Sequence, residues 1–532
     1  MQRYDALIIG AGHNGLTTAC YLARAGLKVR MLEARHIVGG AAVTEEFHPG
    51  FRNSVASYTV SLLNPQVCRD LHLAEHGLKM VFRPMSNFLP LDNGDALRVG
   101  PELENTQADV RRFSARDAER LPAYYAMLHR LADALREWVL RTPPDPGGGV
   151  RDMLSMLKGG LALRGLGVAA QRDLIELFGR SAGEILDDWF ESEAIKAALG
   201  FDSIVGAYAS PYAPGSGYVQ LHHCFGEVNG RKGAWGHAIG GMGAITQAMA
   251  KEAASLGVEI TTNAKVARVD VRNGRAAGVM LANGEALEAR VVAANVGPKL
   301  LYLKLIDPGH LDSEVRTRIE RFKTGSGVLR MNVALSELPD FGGLGVQQQA
   351  HHGAGIIIAP TLAYMDHAHS DARQTGMSRA PVVEVLIPST LDDTLAPSGA
   401  HVASLFCQYF APQLPAGRSW DEERDAAADL AIDTVTRFAP NFKSSVIARQ
   451  VLTPLDLERT FGLTDGDIFH GRLSLEQLFS SRPMLGYSNY RTPVDGLYLC
   501  GSGAHPGGGV TGAPGHNAAR EILRDLRRAL PR

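Results

Sequence analysis

The run Asp5-Ala6-Leu7-Ile8-Ile9-Gly10-Ala11-Gly12-His13-Asn14-Gly15 constrains this chain more than any other stretch. A short apolar strand ends directly in three glycines at GxGxxG spacing, and a helix follows to about Ala25. The first glycine permits a tight turn, the second lets the backbone approach a pyrophosphate, and the third lets the helix pack closely on the sheet. The helix N-terminus then offers unpaired amides and partial positive charge to a phosphate. Gly26 stops the helix and Lys28–Leu32 reads as a second strand. Glu33 follows at its end, where a carboxylate accepts hydrogen bonds from an adenosine ribose. Strand, turn, helix, strand and acid in that order specify a dinucleotide-binding βαβ unit, and hence an α/β, Rossmann-like fold.

The C-terminus carries a related pattern. Gly496–Cys500 reads as a strand, Gly501 to Gly509 as a glycine loop, and Gly515 to Leu530 as an amphipathic helix. A second helix N-terminus beside a flavin would stabilise negative charge on the reduced ring. After Glu33 and Arg35 comes another glycine pair, Gly39-Gly40. It resembles the turn that approaches the FAD pyrophosphate in flavoproteins of the glutathione-reductase type. These segments together imply FAD rather than NAD. Gly165-Leu166-Gly167 and Gly241-Met242-Gly243 lack the preceding strand and following acid of a nicotinamide-binding unit. Electrons are therefore expected to come from an organic substrate and to leave to an external acceptor, oxygen or a quinone.

A chain of 532 residues exceeds one core. The pattern divides it into a discontinuous FAD-binding domain (1–75, 226–300 and 445–532) and a mixed α+β substrate domain (76–225 and 301–444). Asn273-Gly274 and Asn283-Gly284 are hairpin signals that make a three-stranded meander in the middle segment. Residues 76–225 read as largely helical, 300–445 as a sheet backed by helices, and 340–380 as a long loop or lid. The net charge of −2 and the lack of a basic tract argue against nucleic acid as a partner. No apolar run reaches the length of a membrane span, and the first strand begins at residue 5, so a cytoplasmic location is expected. The segment 150–170 combines leucines and methionines with Lys158 and Arg164; it reads as a buried helix or as a peripheral membrane contact. The five cysteines are isolated, which leaves a redox dithiol unsupported, and no spacing suggests a metal site. His222-His223, read as a strand, would point to opposite faces.

The N-terminal glycine segment, Gly240-Gly241-Met242-Gly243 with its meander, and the block from Gly501 to Ala519 resemble phytoene-desaturase-type flavoproteins of the flavin amine-oxidase superfamily. Gly466-Asp467-Ile468-Phe469-His470-Gly471, Gln477, Arg482-Pro483 and His505 to Gly512 are most similar to the pyridine nucleotide-disulfide oxidoreductase domain-containing protein 2-like subgroup. The resemblance implies FAD contacts at Gly10, Gly12, Gly15, Glu33, Arg35, Gly39, Gly40, Val266, Gly501 and Val510. Val266 enters only through it, as the counterpart of a meander strand that holds the adenine.

The expected chemistry is desaturation or dehydrogenation of a lipophilic, carotenoid-like small molecule by hydride delivery to flavin N5, which demands orientation more than a strong base. A flavin amine oxidase, a redox-neutral isomerase and a flavin-stabilised interaction protein are the alternatives. His505 beside the flavin loop, His237 before the central glycines and Tyr58 after the first cofactor segment are the candidate catalytic side chains, with His470 and Lys323 as further polar candidates. Apolar residues of 153–168, with Phe406 and Tyr409, could line a substrate channel.

Overall fold

The computed structural model describes residues 3–528. Strand β1 (Arg3–Ile9) sits between β2 (Val29–Leu32) and Ala286–Ala294, parallel to both. Helices cover both faces of such a strand, which is why its sequence is a continuous apolar run rather than an alternating one. Glu259–Thr261 extends this sheet beyond β2, and Arg275–Leu281 and Val266–Arg272 extend it on the other side. Leu497–Leu499 joins parallel to the end of Ala286–Ala294. The first hairpin turn holds Asn273 and Gly274 at φ 52° and 75°, the paired positive values of a type I′ turn. Helix α1 (His13–Arg24) packs on the C-terminal helix Ala513–Arg528, and the Thr18 hydroxyl donates to the Gly515 carbonyl at 3.2 Å.

A second seven-stranded sheet runs Val446–Leu452, Val328–Leu335, His401–Phe410, Met377–Leu386, Gly355–Ile358, Asn87–Pro90 and Ala96–Val99. The helix Trp420–Thr436 buries Ala427, Ala428, Ala431, Ile432 and Val435 in the same core as Leu329, Met331, Val383 and Leu405 of this sheet. The helices between residues 115 and 223 form another core with Leu89, Val328 and Ile357.

Several boundaries differ from the sequence reading. Val446–Leu452 pairs antiparallel with Val328–Leu335, so the second sheet takes the start of the segment assigned to the third cofactor piece. The region 76–225 contributes Asn87–Pro90 and Ala96–Val99 to that sheet, with three apolar residues each that pairing rather than period places there. Residues 340–380 are not a lid. They contain the buried strand Gly355–Ile358 and the helix Leu362–Thr375, capped by the Thr361 hydroxyl on the Tyr364 N–H and ended by Gly376 at φ 90°. His222 and His223 close the helix Ser216–His223 and are both buried, so they do not lie on a strand.

The helices Val150–Gly165 and Gly167–Gly179 depart furthest from expectation. Val150, Met153, Leu154, Leu157, Leu161, Val168 and Ile175 are all exposed, and Gly159, against the Trp138 ring, is one of the few buried positions. They form neither a buried helix nor a channel wall. Among the described residues no single helix is long and apolar enough to cross a membrane, and this pair is bent by 111°.

Candidate functional site

Three glycine turns converge. The Gly39 N–H donates to the Ala11 carbonyl at 2.9 Å, which lays the Val38–Gly40 turn along the first loop. A Cβ on Gly15 would stand 2.3 Å from the Gly10 carbonyl oxygen, so only glycine lets α1 begin this close to β1. Gly39, at φ 129°, would meet the Ala42 carbonyl at 2.7 Å. Asn295, with its amide oxygen turned inward, accepts from the N–H groups of Gly12 at 3.2 Å and Gly15 at 3.3 Å. The same side chain lies beside Gly501, whose Cβ would be 3.0 Å from the other end of the Asn295 amide.

Glu33 is buried at the end of β2, where its carboxylate accepts from the Ala11 N–H at 2.8 Å and the Arg35 N–H at 2.9 Å. The Ala264 N–H donates to the Glu33 carbonyl at 2.8 Å, which brings the start of the Val266 strand to the same corner. Arg35 pairs with Glu45 at 2.8 Å, while its Nη1 is buried without a partner. A cradle closed by glycines, a ribose-height carboxylate and an orphaned guanidinium nitrogen fit an adenine dinucleotide with its pyrophosphate.

A cavity adjoins these turns. His13, Ala41, Met242, Ser502, Gly509 and Val510 line it from the cofactor segments, and Tyr58, Val205, His223, Trp235 and Phe406 line it elsewhere. None of its lining residues is Asp, Glu, Lys or Arg. Such an apolar pocket with a few convergent polar groups is the form of a small-molecule site.

The candidate side chains separate cleanly. Tyr58 lines the cavity, stacked on Phe406 with centroids 5.0 Å apart, and its hydroxyl donates to Glu384 at 2.6 Å. Burial, and then Glu384, push this phenol well above its ordinary range, so it stays a protonated donor. His505 is absent from the lining; its Nε2 faces the Trp138 carbonyl at 3.0 Å, and burial lowers its pKa to about 4. His237 is buried against Asp392, with Nε2 3.0 Å from Oδ2. Burial opposes ionisation of Asp392, yet His237, the Thr394 hydroxyl and the N–H groups of Gly240 and Thr394 hold its carboxyl down at about 2. That cluster ties the turn before the central glycines to the second domain. His470 lines the cavity with Nδ1 unpartnered, and Lys323 is exposed, paired with Glu476 at 2.6 Å. Tyr409 is buried in the helical core.

Behind the Tyr58 wall lies a group of charges absent from the sequence reading. Arg330, fully buried, donates to the Ala56 carbonyl at 2.9 Å, the Leu405 carbonyl at 2.6 Å and the Ser404 hydroxyl at 2.6 Å. Its guanidinium lies 4.5 Å from the Tyr58 ring centroid. Glu384 faces Arg83 at 3.9 Å, and Arg83 in turn lies over the Trp235 ring and donates to the Thr59 hydroxyl. A charge inside an apolar run was the local signal: Arg330 follows Val328-Leu329 and Glu384 stands between Val382-Val383 and Val385-Leu386.

The family model described as flavin containing amine oxidoreductase matches residues 15–523. Rat pyridine nucleotide-disulfide oxidoreductase domain-containing protein 2 is 43% identical, over 98% of this chain and 94% of its own. A lycopene-forming phytoene desaturase from Pseudescherichia vulneris is 26% identical, over 98% of this chain and 99% of its own. Among solved structures, a redesigned putrescine oxidase triple mutant superposes with a TM-score of 0.61 at 17% identity, covering 99% of each chain.

Proposed function

The chain belongs to the flavin containing amine oxidoreductase family and takes FAD as its cofactor, and we propose that it dehydrogenates or desaturates a predominantly apolar organic substrate. The observation that carries this reading is the cavity beside the glycine turns, whose lining lacks Asp, Glu, Lys and Arg. When bound, FAD supplies N5 as acceptor of the substrate's hydride, with oxygen or a quinone as the external oxidant.

In this reading Gly10, Gly12 and Gly15 admit the pyrophosphate, Glu33 and Arg35 meet the ribose and its phosphate side, and Val266 borders the adenine. Gly39, Gly40, Gly501 and Val510 close the cradle. Tyr58 and Phe406 present a flat wall that orients the substrate, and the surrounding aliphatic residues exclude water. His505 and His237 support the loops from behind. The phytoene desaturase relative gives the same class of chemistry at lower identity.

The test is anaerobic photoreduction of the FAD-loaded protein followed by rapid mixing with oxygen or a soluble quinone. Fast reoxidation by quinone and slow reaction with oxygen fit the proposed dehydrogenase. Rapid oxygen consumption with amines as donors would replace it with an amine oxidase.

The exposed helices Val150–Gly165 and Gly167–Gly179 extend the proposal to a peripheral lipid contact. Nine large apolar side chains stand exposed there beside Arg151, Lys158, Arg164 and Arg172. An apolar face rimmed by cations complements an anionic bilayer surface. Apolar substrates partition into such a surface.

A further inference from the structure

His223 is the least explained polar side chain of the molecule. It lines the cavity and is 5% exposed, yet neither Nδ1 nor Nε2 has a hydrogen-bond partner among the described residues. Its ring stacks on Trp235, with centroids 5.6 Å apart. Native structures seldom leave both nitrogens of a buried imidazole unpaired, because each unmet group carries its full desolvation penalty.

A further group lies off the lining. Asp202 makes no hydrogen bond among the described residues, although it stands within electrostatic reach of Glu384 and Arg83. Trp235 connects the two regions, since it stacks on His223 and carries Arg83 over its ring at 5.5 Å. Tyr58 belongs to the same wall of the cavity as a polar side chain, with Glu384 and Arg83 behind it rather than on the lining.

Resting on the oxidoreductase reading above, we propose that this wall recognises a neutral oxygen function, a hydroxyl or carbonyl, on an otherwise apolar substrate, with His223 as its hydrogen-bonding residue. A neutral imidazole offers one donor and one acceptor, which matches a hydroxyl in both senses and a carbonyl in one. Burial, and then His222, lower His223 to about 3, so it remains uncharged at neutral pH. Arg83 and Glu384 already offset each other. A cationic or anionic substrate would enter the apolar cavity with no free counter-charge on its lining, at a heavy desolvation cost. A hydrocarbon would leave His223 unmet.

The experiment uses the FAD-loaded protein and reads perturbation of the flavin absorbance spectrum, which needs no turnover. Decane, decan-1-ol, decan-2-one, decylamine and decanoate are titrated in turn. The expected result is that the alcohol and ketone bind at least about tenfold more tightly than the other three, the scale of one buried hydrogen bond. His223→Phe should collapse the alcohol-to-decane ratio to within about twofold to threefold, and His223→Asn should restore much of it. Equal binding of decane and decan-1-ol in the wild type overturns the assignment whether or not the Phe variant folds, and so does tighter binding of the amine or the acid. Those outcomes leave the oxidoreductase reading intact. A flavin spectrum that responds to none of the five overturns both.

Discussion

The Tyr58 hydroxyl donates a 2.6 Å hydrogen bond to Oε2 of Glu384, joining positions 326 residues apart in the chain. One partner follows the second glycine turn and the other lies within a strand of the second sheet, so the cavity wall is assembled across the domain boundary.

Tyr58→Phe removes that bond and leaves the buried Glu384 facing only Arg83, at 3.9 Å. The loss should destabilise the FAD-loaded protein by about 1–3 kcal/mol, the penalty of an unmet buried acceptor. Denaturant unfolding of Tyr58→Phe, Glu384→Gln and the double variant measures the coupling. Additive losses would show that the two side chains act independently.

Gly15→Ala places a methyl group 2.3 Å from the Gly10 carbonyl oxygen. The turn cannot absorb that contact without moving α1 away from β1. The variant should purify without the yellow flavin band or bind FAD at least about a hundredfold more weakly. Arg35→Met, which deletes the orphaned Nη1, should weaken FAD by about tenfold to a hundredfold with the fold retained. Equilibrium dialysis against FAD checks both, and full FAD content in Gly15→Ala would refute the cradle.

The buried histidines set an acid limit. Burial lowers His222 to about 4, His223 to about 3 and His505 to about 4, from an ordinary 6.5. Between pH 6.5 and 4 the unfolded chain therefore binds protons that the folded protein refuses. Stability is complete above pH 6.5 and falls as pH drops, by about 1.4 kcal/mol per pH unit for each histidine. Unfolding curves from pH 7.5 to 4.5 should show this slope, reduced in His505→Gln. A flat profile would mean that these rings ionise freely in the folded state.

Vesicles test the exposed helices. The protein should co-sediment with vesicles containing phosphatidylserine more than with pure phosphatidylcholine, and salt should weaken the difference. Leu154→Glu combined with Leu157→Glu should abolish binding while leaving FAD content unchanged. Equal partitioning of the variant would refute the surface.

The cofactor half of the site was legible because it is local. Gly10 to Gly15, Glu33 and the Asn273-Gly274 turn each state their backbone requirement within a few residues. The charges behind the cavity were not legible, because strand pairing and packing bring Arg83, Asp202, Arg330 and Glu384 together from four distant segments. Periodicity alone could not distinguish a strand from a helix at His222-His223. Nor could composition tell whether Leu154 and Leu157 face a core or the outside, since both placements use the same side chains.

Arg330 holds the Ala56 carbonyl with one nitrogen and the His401–Phe410 strand with the others. A single rigid guanidinium thus rivets the two halves of the molecule together beside the reaction chamber. Jaw-like opening would have to break the bond from this buried cation to the Ala56 carbonyl. Traffic into the chamber therefore passes through movement of individual side chains, and the rate of admission depends on that local breathing rather than on a hinge.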